Sequence, residues 1–305
     1  MNYDIQTLRI FLAVAREGSI ARAADKEHTV ASAVSKRISD LEQRIGTPLL
    51  YRHRRGVTLT LAGTELHQYA ERIVGELANL DSALSNYANG VKGQVRLVAN
   101  TSAIVQFLPQ DLSSFLKQHP TVKIDLEEHT SETVHKMIVN GSADLGIMVP
   151  QRPLDGLHAS LYRADQLMVI MPPDHPLARR NTGHLRFADT LAYDYVGLPR
   201  GTSLCNAIME AARDVGRPLR LRIQATSFDG LRRMAALGLG IGILPRGSVE
   251  PFLQTEGLAA AHLDETWACR ELMLVAKNPE NLPKLARLLY DHLYLAGRNS
   301  IHTTP

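Results

Sequence analysis

Apolar positions between residues 19 and 42 recur at helical spacing in two short segments separated by a polar turn. Ser19 is a good N-cap for the first segment, which is expected to end near His28. One apolar stripe along the second segment comprises Val30, Val34, Ile38 and Leu41. The opposite face is short-chained and basic and comprises Ser32, Ser35, Lys36 and Ser39. Small hydroxyls and a cation suit a helix in the major groove of DNA, so the pattern predicts a helix-turn-helix. An ordinary amphipathic helix with a solvated polar face is the alternative.

The flanking residues favour the helix-turn-helix. Upstream, a helical apolar stripe stops at Gly18 and comprises Leu8, Phe11, Leu12 and Ala15. Downstream, a basic run comprises Arg52, His53, Arg54 and Arg55, and alternating residues 57–60 follow Gly56. This second pattern predicts a β-hairpin wing whose three arginines suit contacts with DNA phosphates.

A heptad pattern follows over about three repeats, with apolar residues at alternating offsets of four and three. Its members are Leu66, Ala70, Ile73, Leu77, Leu80, Leu84 and Tyr87. A seam this narrow, followed by Asn89 and Gly90 as a stop signal, indicates pairing with a second helix and therefore dimerisation. An intramolecular helix contact is the alternative.

From Gly93 onward, strand patterns alternate with helix patterns, which indicates α/β organisation. The expected strands lie at 95–99, 122–126, 145–149, 166–171, 195–198, 221–225, 240–244 and 271–276. The expected helices lie at 108–116, 203–215, 229–237 and 282–295.

A small-anion site is predicted from helix starts in this region. Asn100, Thr101 and Ser102 lie between a strand and a helix, and Arg200, Gly201, Thr202 and Ser203 precede another helix. Helix starts offer free N–H groups, hydroxyls and a positive dipole end, which suit a carboxylate. Taken singly, each segment is better explained as a simple N-cap, and it is the pair of segments that favours a ligand site. His129, Met148 and Phe228 are candidates by position alone.

Composition adds limits to these predictions. The 305 residues, 45% of them hydrophobic, suffice for two or more domains. Residues 1–62 hold eight Arg and two Lys against three Asp and three Glu, a net charge of +4, whereas the whole chain carries +3. Positive charge is thus concentrated where DNA phosphates would be met. Neither a membrane-spanning segment nor a signal peptide is expected, which favours a cytoplasmic protein.

Catalytic and metal-binding patterns are not expected. The segment 201–205 lacks the final glycine of a nucleophile elbow, and Gly238, Gly240 and Gly242 lack dinucleotide-binding spacing. Cys205 and Cys269 lie 64 residues apart, which suits neither a metal pair nor a CxxC motif. We therefore expect a protein that is not an enzyme and has neither a cofactor nor a bound metal.

The N-terminal residues closely resemble the LysR-type transcriptional regulators, and the likeness extends over the full length. The family's pattern matches at Leu8, Phe11, Val14, Gly18, Ser19, Ala23, Ala24, Ala33, Val34, Ser35, Ile38, Leu41, Glu42, Gly46, Leu49, Arg52, Leu59, Thr60, Ala62 and Gly63. The chain departs from the pattern at Glu27, Val30 and Ala31, where the family usually has Leu, Ser or Thr, and a base-contacting Gln. We expect Thr29 to replace the missing cap and the serines with Lys36 to carry more of the recognition.

The resemblance implies a multidomain α/β protein. A winged helix-turn-helix would occupy residues 1–62, a linker and dimerisation helix 63–90, and a two-lobed, periplasmic-binding-protein-like effector domain 91–305. Lobe I would comprise about 91–163 and 267–305, and lobe II about 164–266. Implied partners are an imperfect inverted repeat of double-stranded DNA, a small-molecule effector, RNA polymerase, and further copies of the chain in a homodimer or homotetramer. The alternative function is a small-solute-binding protein whose N-terminal domain mediates assembly.

Overall fold

The computed structural model describes residues 3–54, 56–88, 93–180 and 183–301; residues 78, 79, 81–88 and 299–301 are described by their backbone. The chain divides into two compact units, Met1–Gly90 with Val139–Ala143, and Val91–Ile138 with Asp144–Pro305. No described helix is both long and apolar enough to cross a bilayer.

The N-terminal unit is helical with one hairpin. Its elements are α1 (Ile5–Glu17), α2 (Ile20–Lys26), α3 (Ala31–Ile45), β1 (Leu50–His53), β2 (Gly56–Leu59) and α4 (Leu61–Ala88). Asp4 caps α1, and Ser19 caps α2 as the sequence predicts. Gly18 ends α1 in the left-handed conformation. These caps fix where α1 and α2 begin and end. The apolar faces of both helices pack with that of α3 around one small core.

The β1–β2 hairpin is the expected wing, and it lies against the end of α1. Val57 N donates to Gly18 O at 3.0 Å. Gly56 has φ +136°, and a Cβ built on it would stand 2.2 Å from Gly18 O. A glycine is therefore required at this turn, because any side chain would separate the wing from α1.

From Gly93 the chain forms an α/β structure. The elements are β3 (Gly93–Ala99), α5 (Thr101–Gln106), α6 (Leu108–Gln118), β4 (Val122–Glu128), α7 (Ser131–Asn140), β5 (Leu145–Met148), β6 (His158–Met171), α8 (Pro176–Arg179), β7 (His184–Leu185), α9 (Phe187–Thr190), β8 (Tyr195–Gly197), α10 (Ser203–Asp214), β9 (Leu221–Gln224), α11 (Phe228–Ala236), β10 (Gly242–Pro245), β11 (Ala259–Leu263), β12 (Cys269–Ala276) and α12 (Lys284–Ile301). Short 3₁₀ turns lie at Arg246–Ser248, Glu250–Phe252, Thr266–Ala268 and Pro279–Asn281.

One long strand, β6, joins two parts of the main sheet. The strand order is β4-β3-β5-β12-β6-β11-β7, and β10 also pairs with β6. As far as Gln166, β6 pairs with β12, and from Leu167 it pairs with β10 and β11. Strands β8 and β9 form a separate two-stranded sheet. A single β-bridge between Tyr195 on β8 and Ile241 connects this sheet to the start of β10. Two apolar cores result, one beneath each part of the sheet.

Several sequence expectations differ from the structure. The strand expected at 166–171 starts at His158, and its first half was missed because it is less apolar and less buried than its second half. Helix α7 and strand β11 were not expected, since each has a short apolar pattern. The expected Thr29 cap is wrong: α3 starts after Val30, whose side chain cannot cap.

Candidate functional site

Helix α3 presents the face expected to contact DNA. Val34, Ile38 and Leu41 are buried beneath it, each at most 1% exposed. On the other side Ser32, Lys36 and Ser39 are exposed and Ser35 is half-buried. No described residue pairs with Lys36, so its ammonium is available to an external acceptor.

The start of α3 differs from the expected buried stripe. Val30 was placed in that stripe, but its side chain is 63% exposed. This prediction is wrong because Val30 is the N-cap residue, where the extended backbone no longer follows the helical period. Val30 and the neighbouring exposed Ala31 therefore form an apolar surface at the end of a helix that, in helix-turn-helix proteins, approaches the bases.

Arg52 on the wing is bound to α3. Its Nη1 donates to Ser35 Oγ and its Nη2 to Ser39 Oγ, both at 3.3 Å. Nη2 also lies 3.8 Å from Glu42 Oε2, while Glu42 Oε1 accepts from Leu49 N at 2.8 Å. Glu42 thereby holds the start of the wing and the arginine together. Arg52 was predicted to contact the DNA backbone, and the structure places it over Ser35 and Ser39, two of the three serines predicted to face DNA.

The remaining wing cations are less constrained. Arg54 lies exposed at the hairpin turn, and Arg55 lies outside the described residues. Arg37 was not expected in any role; its Nη1 donates to Asp4 Oδ2 at 2.9 Å and so ties α3 to the cap of α1. Sequence reasoning missed this pair because 33 positions separate the two residues.

The heptad seam on α4 is divided between two environments. Ala70 is fully buried and therefore not open to a partner, whereas Leu66 is half-buried and packs on the N-terminal core. Ile73 and Leu80 are 44% and 51% exposed, and Leu77 is half-buried. The side chains of Leu84 and Tyr87 lie outside the described residues. The described part of the seam that remains open begins at Ile73.

A cavity of about 220 Å³ lies where strands β3 and β4 end and helices α5, α10 and α11 begin. Its lining residues are Asn100, Thr101, Ser102, Glu128, His129, Thr130, Ser131, Leu198, Pro199, Thr202, Ser203, Leu204, Thr226 and Phe228. Strands β3 and β4 are parallel, so their carboxyl ends lie at one edge of the sheet, the usual ligand position in such folds. The cavity is therefore a candidate binding site for a small molecule.

Family models match both the N-terminal and the α/β parts of the chain. Residues 5–64 match the family model of the bacterial regulatory helix-turn-helix protein, lysR family, and residues 88–296 match the LysR substrate binding domain. The chain belongs to the LysR family. Its members are DNA-binding transcriptional regulators with an effector-binding domain. The expected non-enzymatic regulator and the multidomain α/β fold are thereby confirmed.

Individual relatives of this LysR-family chain are similar over nearly their full length. The RuBisCO operon transcriptional regulator of Allochromatium vinosum is 28% identical over 287 residues, 94% of each chain. The uncharacterized HTH-type transcriptional regulator YfeR of Shigella flexneri is 27% identical, covering 95% of this chain and 93% of that one. The crystal structure of CbnR, a LysR family transcriptional regulator, has a TM-score of 0.69 at 19% identity, covering 97% and 99% of the chains. CbnR has also been solved in complex with its target DNA.

Seven of the nine residues predicted for the effector of this LysR-family chain line the cavity. Met148 instead lines a cavity of about 40 Å³ beside α7, and Arg200 is exposed and outside the lining. Met148 is the last residue of β5 and is 3% exposed. Glu128, Thr130 and Ser131 were missed. The signal for Thr130 and Ser131 was the Thr-Ser-Glu segment at residues 130–132, which resembles the Asn-Thr-Ser start of α5.

A buried ion pair lies beneath the cavity. Asp165 on β6 and Arg270 on β12 are directly opposite in register and form a hydrogen bond. Their side chains are at most 4% exposed. Arg270 Nη2 also donates to Ser102 Oγ at 3.0 Å. Burial raises the pKa of the Asp165 carboxyl, and the Arg270 charge opposes that rise.

Metal and thiol chemistry find little support among the described residues. They contain no group of three or more His, Cys, Asp or Glu placed to hold a metal ion. Cys205 is buried, and burial raises the pKa of its thiol, which disfavours the reactive thiolate. The Asp144 carboxylate accepts a hydrogen bond from Arg96 Nη2 at 2.6 Å, so this buried acid has a structural partner.

Proposed function

We propose that this chain is an effector-responsive transcriptional regulator whose α3 enters the major groove of an imperfect inverted repeat. Ser32, Ser35, Lys36 and Ser39 face the bases, and Arg54 and Arg55 contact phosphates. The +4 charge of residues 1–62 and the exposed face of α3 support this assignment. The domains are 1–62, 63–90 and 91–305, with lobes at 91–163 with 267–305 and at 164–266. The protein acts in the cytoplasm, where RNA polymerase is its partner.

Dimerisation through α4 is the second part of the proposal. Exposed Ile73 and Leu80 lie seven residues apart, so they occupy equivalent heptad positions on one face. Two DNA-binding domains on neighbouring half-sites multiply weak individual affinities. The dimer, or a tetramer built as a dimer of dimers, is therefore the DNA-binding form.

The cavity carries the effector part of the proposal. It joins α5 from one part of the sheet to α10 and α11 from the other, which are linked through β6. A ligand that contacts both parts favours one closure state over another, and that preference is transmitted as a population shift. The helix starts suit a carboxylate or another small anion.

DNA binding is tested by equilibrium titration of the full-length protein with its own upstream DNA and with a shuffled sequence at several salt concentrations. We expect selective binding that weakens with salt. Lys36→Ala and Ser35→Ala are expected to change base preference, and Lys117→Ala on α6 is the control with the same charge loss. Equal affinity for both DNAs at every salt concentration would favour the alternative, a solute-binding protein with an assembly domain.

A further inference from the structure

The hydroxyl of Ser131 is a donor at the wall of the cavity, and the same residue also lines the smaller cavity beside α7. Ser131 is 2% exposed, and its Oγ accepts from Val149 N at 3.2 Å and Asn100 Nδ2 at 3.4 Å. The orientation of the Asn100 amide is fixed because its Oδ1 accepts from Ala103 N. Both lone pairs of the Ser131 oxygen are therefore occupied, and no described residue accepts its O–H.

Ser102 is a second donor. It is 4% exposed, and its Oγ accepts from Arg270 Nη2, a group that only donates. The ion pair with Asp165 holds that guanidinium in place. Among the described residues none accepts the Ser102 hydroxyl hydrogen. Because an unused buried donor is costly, the two serines together favour a ligand with an acceptor such as a carboxylate.

Glu128 is an exposed carboxylate at the cavity, and it favours a ligand that carries a hydrogen-bond donor. Its Oε1 accepts from Thr101 Oγ1 at 2.6 Å, and no described residue donates to its Oε2. The cavity lining contains neither Lys nor Arg, so Glu128 brings negative charge without a cation from the lining. Thr202 does not compensate, since its hydroxyl already donates to Pro199 O and accepts from Cys205 N. This negative charge repels a ligand that carries only a carboxylate. A ligand that also carries a hydroxyl or ammonium group donates a hydrogen bond to Glu128 and so offsets the repulsion.

We propose that the effector is a hydroxy- or amino-carboxylic acid; this rests on the proposed effector function. Its carboxylate accepts from Ser102 and Ser131, and its hydroxyl or ammonium group donates to Glu128. Glu128 is then the residue that determines specificity, and Arg270 is a positioning residue that acts through Ser102.

The test uses full-length protein and three matched trios of probes: propanoate, lactate and alanine; succinate, malate and aspartate; benzoate, salicylate and anthranilate. Tm is measured at about 10 mM of each, roughly ten times a Kd of 1 mM, and responders are titrated calorimetrically. In a responding trio, the hydroxy or amino acid is expected to bind at least about tenfold more tightly than the parent acid. The tighter of the two identifies the donor as hydroxyl or ammonium.

Single substitutions test the contacts at the two ends of the ligand separately. Glu128→Gln is expected to reduce the preference for the derivative over the parent acid, and Asp125→Asn, the same change on an exposed β4 residue outside the cavity, leaves it unchanged. Ser131→Ala is expected to weaken parent and derivative alike. Ser102→Ala tests the same end if Ser131→Ala does not fold.

Three results would overturn the inference: equal affinity across a responding trio, an unchanged preference in Glu128→Gln, or no stabilisation by any probe. Failure of the proposed function is a different result, the loss of sequence-selective DNA binding by the same wild-type preparation without ligand.

Discussion

Arg52 Nη1 on the wing lies 3.3 Å from Ser35 Oγ on the recognition helix. Arg52 on the wing therefore lies on the same exposed face of α3 as Ser35. Hydrogen bonds within the protein already hold this part of the face in the absence of DNA. An arginine that must hold two serine hydroxyls has a different role from one that is free at the hairpin turn.

Arg52→Ala and Arg54→Ala are accordingly expected to differ. Loss of Arg52 frees Ser35 and Ser39, so specific binding should weaken by about 1–3 kcal/mol and base preference should relax. Loss of Arg54 should weaken specific and random DNA alike and reduce the salt slope by about 1. Titrations of both DNAs over a salt series check this. Identical profiles for the two variants would remove the distinction.

Gly56→Ala should destabilise the N-terminal unit strongly. Its Cβ would collide with Gly18 O, in addition to the strain of a positive φ. Gly46→Ala is the matched control, because it also has a positive φ but meets nothing within 4 Å. Denaturant unfolding should show a loss of about 1–2 kcal/mol for Gly46→Ala and a clearly larger loss for Gly56→Ala. Equal losses would mean that the wing does not need this close approach.

The cap of α3 can be improved. Val30 makes no side-chain cap bond, so Val30→Asp should stabilise the folded protein by about 1 kcal/mol. Ser19→Ala should do the reverse by a similar amount, since Ser19 Oγ accepts from Arg22 N. Thermal unfolding of both variants measures the effect. A destabilised Val30→Asp protein would contradict the assigned start of α3.

Ile73→Glu and Leu80→Glu should disrupt self-association. Charges placed in an apolar seam are expected to raise the dimer Kd about 30-fold or more, equivalent to about 2 kcal/mol. Leu61→Glu on the same helix is the control, because Leu61 is 92% exposed and lies outside the seam. Sedimentation velocity over a concentration series gives the Kd values. Unchanged assembly in both seam variants would place the interface elsewhere.

Arg270→Ala should destabilise the protein by about 3–5 kcal/mol at neutral pH, because it leaves the Asp165 charge buried and unpaired. The folded pKa of Asp165 is already raised by burial and should rise further. Between the unfolded and folded pKa values the folded state binds more protons, so stability falls as pH rises.

The deficit of Arg270→Ala should therefore shrink as pH is lowered from 7 towards the raised pKa. Denaturant unfolding across this range checks the sign. The double variant Asp165→Ala/Arg270→Ala should recover much of the loss at pH 7, because no lone charge remains. A deficit that grows on acidification would contradict the buried-charge explanation.

Local pattern explains which elements could be anticipated. The buried face of α3 follows a helical period, so Val34, Ile38 and Leu41 were placed correctly. The same period failed at Val30, where the helix had not yet begun. Helix α7 was missed because it buries few apolar side chains, including Val134 and Ile138, and Ser131 at its start was missed with it.

The sequence alone determined the LysR-type organisation, the recognition helix, the basic wing and the helix starts that line the cavity, because each depends on neighbours within a few residues. The tertiary structure decided that Arg52 binds Ser35, that Ala70 is buried, and that Ser131 and Glu128 complete the cavity. It also paired Asp165 with Arg270 across 105 positions through the β6–β12 register. Such pairings depend on strand register and on the packing of distant segments, which local periodicity does not specify.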